Sequence, residues 1–339
     1  MHVSRAWGLS MKRREFMALF GGAAAAMPLG AQAQPSPGRP LIGILVPAST
    51  AAWARNLEAL QAGLRKLGYV EGRNIWLEIR YADGEVARLP ALAAELVALK
   101  PDVIVAAAAP GAVAVYGATK SIPIVMNVIP DPVALGVVKS IARPGGNVTG
   151  IWTFGGQDAL VGKRISLLKE VVPDLARMGV MVSSGDPSDA IVLTLLLAAT
   201  RALGVTYKIF EVRKTAELDS AFVQAARDSL QGLFINQTPL FFSQRSKVAL
   251  LAANARLPAI YGFREHAEAG GLLAYGPSLP GAYTQVARLV DKILKGAKPA
   301  DIPVEQADKY ELVVNNRTAK ALGLKIPESF LLRADEVIE

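Results

Sequence analysis

Side chains that move protons or hold metals are nearly absent from this sequence. It contains no cysteine and two histidines, His2 and His266. His2 falls in a stretch read below as a leader, and His266 falls in a helix beside Glu265 and Glu268, where a histidine is ordinarily a surface residue. Zinc sites and general acid–base catalysis draw mainly on these two residue types. No Gly-x-Ser-x-Gly elbow occurs, and Gly145-Gly146 precedes a strand instead of joining a strand to a helix, so it fails the setting a phosphate or dinucleotide loop requires. The chemistry on offer is recognition, and no enzyme activity, metal or cofactor is expected.

Polar groups gather instead at the ends of apolar runs. Ile122–Val128 is such a run, and Ile129-Pro130-Asp131-Pro132 breaks it and is expected to start a helix. Asp131 then sits past the carboxyl end of a strand, where open α/β sheets bind ligands. Other run-end loops supply Ser49, Thr50, Thr153, Ser183, Ser184, Asp186, Thr238 and Arg264, with Trp152, Phe154, Phe241, Tyr261 and Tyr275 as aromatics. A few convergent polar groups on an apolar wall suit a small-molecule site. Core packing is the ordinary role of such aromatics, and it is the favoured reading for Trp53 and Phe242; for Phe241 the two roles are evenly matched.

The elements that must position these loops follow one rhythm. Leu41–Val46 reads as a buried strand, and Trp53, Leu57, Leu60, Leu64 and Leu67 form the apolar stripe of the helix after it. Ile75–Tyr81 alternates like a strand, 88–99 is helical, and Val103–Ala107 is again a strand ending in Ala109-Pro110-Gly111. Arg143-Pro144-Gly145-Gly146-Asn147 marks a turn that carries the chain into a second region with the same alternation. Strands alternating with helices over short connections predict doubly wound parallel sheets in two similar lobes, an α/β protein.

Composition agrees with this division. A chain of 339 residues that is 52% hydrophobic can bury two cores. Its net charge of +8 comes from scattered Lys and Arg without basic runs, which argues against a nucleic-acid partner. Lys12-Arg13-Arg14-Glu15-Phe16, the apolar stretch Met17–Leu29 and the small residues of Ala31-Gln32-Ala33 read as an export signal over 1–33, of twin-arginine character. An ordinary secretory signal is the alternative, and Met11 is a possible start. Residues 34–40 form a proline-rich linker, and the absence of cysteine leaves no lipid-anchoring residue. A periplasmic, unanchored product is expected.

Several stretches resemble the ABC-transporter substrate-binding family of the tryptophan- and tyrosine-binding type. They include Gly68-Tyr69-Val70-Glu71-Gly72, Asp131-Pro132-Val133, Arg143 through Gly150, Tyr275-Gly276-Pro277-Ser278 and the terminal Arg333 through Glu339. The resemblance implies a type I periplasmic binding protein whose two Rossmann-like lobes are joined by a three-crossing hinge. It places 41–148 with 262–303 in one lobe and 149–261 with 304–339 in the other. It also implies a cleft lined by Ser49, Ala109, Pro110, Asp131, the loop after Val182 and the Thr238–Phe241 loop. The expected ligand set is Ser49, Thr50, Ala109, Pro110, Asp131, Phe154, Ser184, Asp186, Thr238, Phe241, Tyr261 and Tyr275. Where the family pattern reads Thr-Pro-Ala, this sequence has Ala109-Pro110-Gly111, one hydroxyl fewer. The expected function is capture of a small organic solute, aromatic or carboxylate-bearing and possibly an amino acid, for an ABC permease in the inner membrane, by a monomer. A ligand-sensing subunit that presents its closed form to a receptor is the alternative.

Overall fold

Two sheets divide the chain, and each is built as its apolar runs predict. The computed structural model describes residues 38–153 and 157–339. The expected leader, most of the linker and Phe154 therefore lie outside the described residues. The first sheet is entered through β1 (Leu41–Val46), α1 (Thr50–Lys66), β2 (Trp76–Tyr81), α2 (Leu89–Ala98), β3 (Val103–Ala107), α3 (Ala108–Ala118), β4 (Ile124–Ile129) and β5 (Val148–Trp152). The second begins with α4 (Gln157–Val171), β6 (Arg177–Val182), α5 (Asp189–Leu203), β7 (Thr206–Glu211), α6 (Leu218–Arg227) and β8 (Gly232–Ile235). It continues through α7 (Pro239–Ser243), α8 (Arg245–Asn254), β9 (Ala259–Tyr261), α9 (Arg264–Glu268) and β10 (Leu273–Pro277). The chain then returns to the first lobe for α10 (Leu279–Leu294) and β11 (Glu305–Gln306), and ends in the second with β12 (Tyr310–Asn315), α11 (Asn316–Ala321), α12 (Glu328–Leu331) and β13 (Glu336–Ile338).

The strand orders are β11-β5-β4-β3-β1-β2 and β13-β12-β10-β9-β8-β6-β7. Pairing is parallel throughout except between β10 and β12. Buried strands such as β1 and β3 are apolar along their whole length because helices cover both faces of a parallel sheet. α1 and α10 pack side by side on the first sheet, and Gly63 allows this because a Cβ there would lie 2.7 Å from that of Ala287.

Two expectations are corrected. The resemblance places residues 262–277 in the first lobe, but β10 pairs with β9 and β12, so the chain leaves the second lobe only at Ser278. β5 and β11 lie in the first sheet, which moves the other two passages between lobes to the residues after Trp152 and after Gln306. Asp131 starts no helix. The segment turns once, Leu135 N–H reaching Asp131 O and Gly136 N–H reaching Val133 O, and Gly136 then takes φ +70°, a left-handed step that ends helical propagation.

The lobes touch across their facing ends. Ser49 N–H donates to Ser243 Oγ at 3.2 Å, and Arg55 Nη1 pairs with Glu268 at 3.0 Å. Phe242 and Phe263, both from the second lobe, are buried in the same apolar cluster as Ile44, Trp53 and Tyr283 of the first.

Candidate functional site

Between the facing ends lies a cavity of about 90 Å³. On the first-lobe side it is lined by the ends of β1, β3 and β4, by Trp53 and Asn56 of α1, and by Leu279 and Tyr283 of α10. Trp53 Nε1 donates to Tyr283 Oη at 2.8 Å, and their rings meet edge-on with centroids 5.2 Å apart. Burial pushes the Tyr283 hydroxyl up to about 12, so it stays protonated. Asn127 adjoins the same hydroxyl.

Backbone strain gathers on this wall. Ala108 and Val128 both line the cavity and both have left-handed φ, +55° and +57°. That conformation is an outlier for a β-branched valine and costs roughly 1–3 kcal/mol. Val128 lies where the β4–β5 register shifts between Met126 and Ile129, a bulge that re-aims the strand end. At the end of β3, Ala107 caps α3 without a side-chain acceptor, so the first N–H groups of that helix stand beside the cavity at its positive end.

The second lobe brings charge. Arg164, on α4, lines the cavity and is only 2% exposed. Its Nε donates to Tyr275 O at 2.7 Å, while Nη2 is buried without a hydrogen-bond partner. Desolvation pushes the guanidinium down to about 9, which leaves it charged at neutral pH. No carboxylate among the described residues pairs with it. Space for it depends on Gly276, where a Cβ would lie 1.8 Å from Gly262 O and 3.1 Å from Arg164 Nη2. Asp186, in the loop after β6, lines the same cavity at 5% exposure. Its Oδ1 accepts from Ser188 N–H and Oγ, and its Oδ2 has no partner. Asn56 Oδ1 is likewise buried and unsatisfied. Each such orphan costs roughly 1–3 kcal/mol unless something fills it.

Of the expected ligand residues, the cavity gathers Ala109, Asp186 and Thr238. Ser49 caps α1, its Oγ accepting from Ala52 N–H, and Thr50 is the exposed first residue of that helix. Pro110 is buried within α3, outside the lining. Asp131 also lies outside it, and its Oδ1 accepts from Val133 and Ala134 N–H, holding the local turn. Ser184 bonds Glu211. Phe241 and Tyr261 are fully buried in the second-lobe core, where Tyr261 stacks on His266 with centroids 4.9 Å apart. Tyr275 contributes its carbonyl to Arg164 rather than its ring to the cavity. Trp53 and Phe242, read as core, both line the cavity. His266 is 2% exposed rather than on the surface.

Arg164, Asn56 and Asn236 escaped the sequence reading. A signal was present for the first two. Arg164 stands four residues from both Leu160 and Leu168, and Asn56 stands between Trp53 and Leu60. Each is a polar residue on its helix's apolar stripe, a place that demands a partner.

Two α/β lobes of mostly parallel sheet, closed on a cavity with unsatisfied polar groups, define a ligand-binding protein of the type I periplasmic binding class. The chain belongs to the ABC transporter substrate binding protein family, whose pattern matches residues 41–338. It is 29% identical over 266 residues to the tyrosine-binding protein of Clostridioides difficile, covering 77% of this chain and 74% of that one. An ABC domain in complex with L-Trp from Streptococcus pneumonia superposes with a TM-score of 0.82 at 26% identity, over 89% of this chain and 100% of that one. A ligand-free, open substrate binding protein with adhesive properties from Clostridium difficile gives 0.63 at 25% identity, over 88% and 99%. At near-equal identity the fit is better to the Trp complex than to the open protein, in keeping with the contacts between lobes. No helix among the described residues is long and apolar enough to cross a membrane.

Proposed function

We propose that this protein captures a small organic solute bearing an acidic group and an aromatic body, and delivers it to an ABC permease as a periplasmic monomer exported by its leader. The observation that carries the reading is Arg164, a buried guanidinium on the cavity wall whose Nη2 has no hydrogen-bond partner and with which no carboxylate among the described residues pairs. A carboxylate is the common group that satisfies such a donor, and Arg engages it with planar, paired hydrogen bonds. Trp53, Tyr283, Phe242 and Phe263 supply an apolar surface for the rest of the molecule. The tyrosine and tryptophan named for two relatives are aromatic carboxylates and support the same class.

Capture follows from geometry. A solute that touches both walls binds the closed form better than the open one, and this difference in affinity drives closure. The test is calorimetric titration of refolded, ligand-stripped protein with L-tryptophan, L-tyrosine and aromatic carboxylates that lack the amino group. Arg164→Gln should weaken binding about thirtyfold or more, as removal of one partner from a buried charge pair does. Unchanged affinity in that variant would refute the role.

A further inference from the structure

Arg164 is matched elsewhere on the cavity wall by a group of opposite charge that it does not touch. Asp186 Oδ2 is buried and part of the same lining, yet neither it nor Arg164 Nη2 has a hydrogen-bond partner. The strand order explains the separation. Arg164 is fixed to Tyr275 O on β10, whereas Asp186 follows β6, and β9 and β8 lie between them. The strands that lead to the two groups are three inter-strand steps, roughly 14 Å, apart. A carboxylate and an ammonium on one carbon are too close together to serve both groups.

We propose that the ligand is bipolar and elongated, with its acidic group on Arg164 and a protonated amine at its other end on the free oxygen of Asp186. This rests on the function proposed above and narrows its ligand class. The surroundings of Asp186 fit an amine. Ser188, at the start of α5, already supplies both donors that Oδ1 accepts, so Oδ2 is left for the ligand. Asp189 follows on α5, its Oδ1 accepting from Asn236 Nδ2 at 2.7 Å after β8, and Glu211 on β7 adds a third carboxylate bonded to Ser184. No lysine or arginine among the described residues pairs with Asp186 or Asp189. Burial pushes Asp186 up, and burial together with Asp186 pushes Asp189 up to about 7, so near neutrality this group of acids retains a proton that an incoming ammonium displaces.

Three probes test the proposal by calorimetry: para-(aminomethyl)benzoic acid, with its charges at opposite ends, para-methylbenzoic acid, which lacks the amine, and phenylalanine, with both charges on one carbon. The first should bind about tenfold or more tighter than either of the others. That advantage should grow from pH 6 to pH 8, because the amine stays protonated over this range while Asp189, pushed up to about 7, loses its proton beside Asp186. Asp186→Asn, checked by its melting temperature for folding, should abolish the advantage by weakening para-(aminomethyl)benzoic acid about tenfold more than para-methylbenzoic acid. An undiminished advantage in that variant, or phenylalanine binding as tightly as the elongated probe, overturns the proposal while leaving the acid-binding role of Arg164 intact. Failure of all three probes with wild-type protein, or indifference of para-methylbenzoic acid to Arg164→Gln, overturns both.

Discussion

The two walls of the cavity are made differently. The first lobe presents mainly Val46, Ala48, Trp53, Ala107, Val128 and Tyr283 and no charged group, whereas the second, beside Phe242 and Phe263, brings both charged groups of the lining, Arg164 and Asp186, with Ser188, Asn236, Gln237 and Thr238. Apolar contact is non-directional and scales with buried area, so the first wall provides affinity for any flat apolar body. Buried charge is directional and costly when unmatched, so the second wall decides which chemistry is admitted. Apolar contact is thereby shared by the two lobes, while charge-based discrimination falls to the second alone.

The largest expected effect comes from the apolar wall. Trp53→Ala removes a 2% exposed indole and its bond to Tyr283, and should cost about 3–5 kcal/mol of stability in chemical denaturation. It should weaken all aromatic probes alike; a change in the ratio between charged and uncharged probes would break the division between walls. Gly276→Ala acts on the other wall. Its Cβ would crowd Gly262 O and Arg164 Nη2, and relief of that overlap should cost about 1–3 kcal/mol. Titration should show a loss confined to acidic ligands, since the guanidinium is displaced and the aromatic wall is not. The smallest effect belongs to Asp131→Ala, which removes the acceptor for Val133 and Ala134 N–H and should cost about 1 kcal/mol of stability with affinity unchanged. A clear drop in affinity there would extend the charged wall onto the first lobe.

The local part of the fold was legible. β1 and β3 lie where their apolar runs begin and end. Membership of β10 in the second sheet was not legible, because an apolar run announces a strand without naming its partner. The site divides in the same way. Asp186 and Thr238 stand at strand ends, and sequence position alone leads to them. Phe241 and Phe242 are neighbours on the short α7, about 100° apart around its axis. One enters the second-lobe core and the other the cavity, and only packing between lobes decides which.

The bulge in β4 carries an evolutionary consequence. Side chains alternate along a strand, so one added residue re-faces everything beyond it. Asn127 and Val128 are adjacent yet both reach the cavity lining, at the point where the β4 register slips. Gain or loss of a single codon here would exchange the groups that β4 shows to a ligand while leaving Arg164 and Asp186 in place. A lineage could therefore try new solutes by insertion and deletion at one strand end, without rebuilding the charged half of its site.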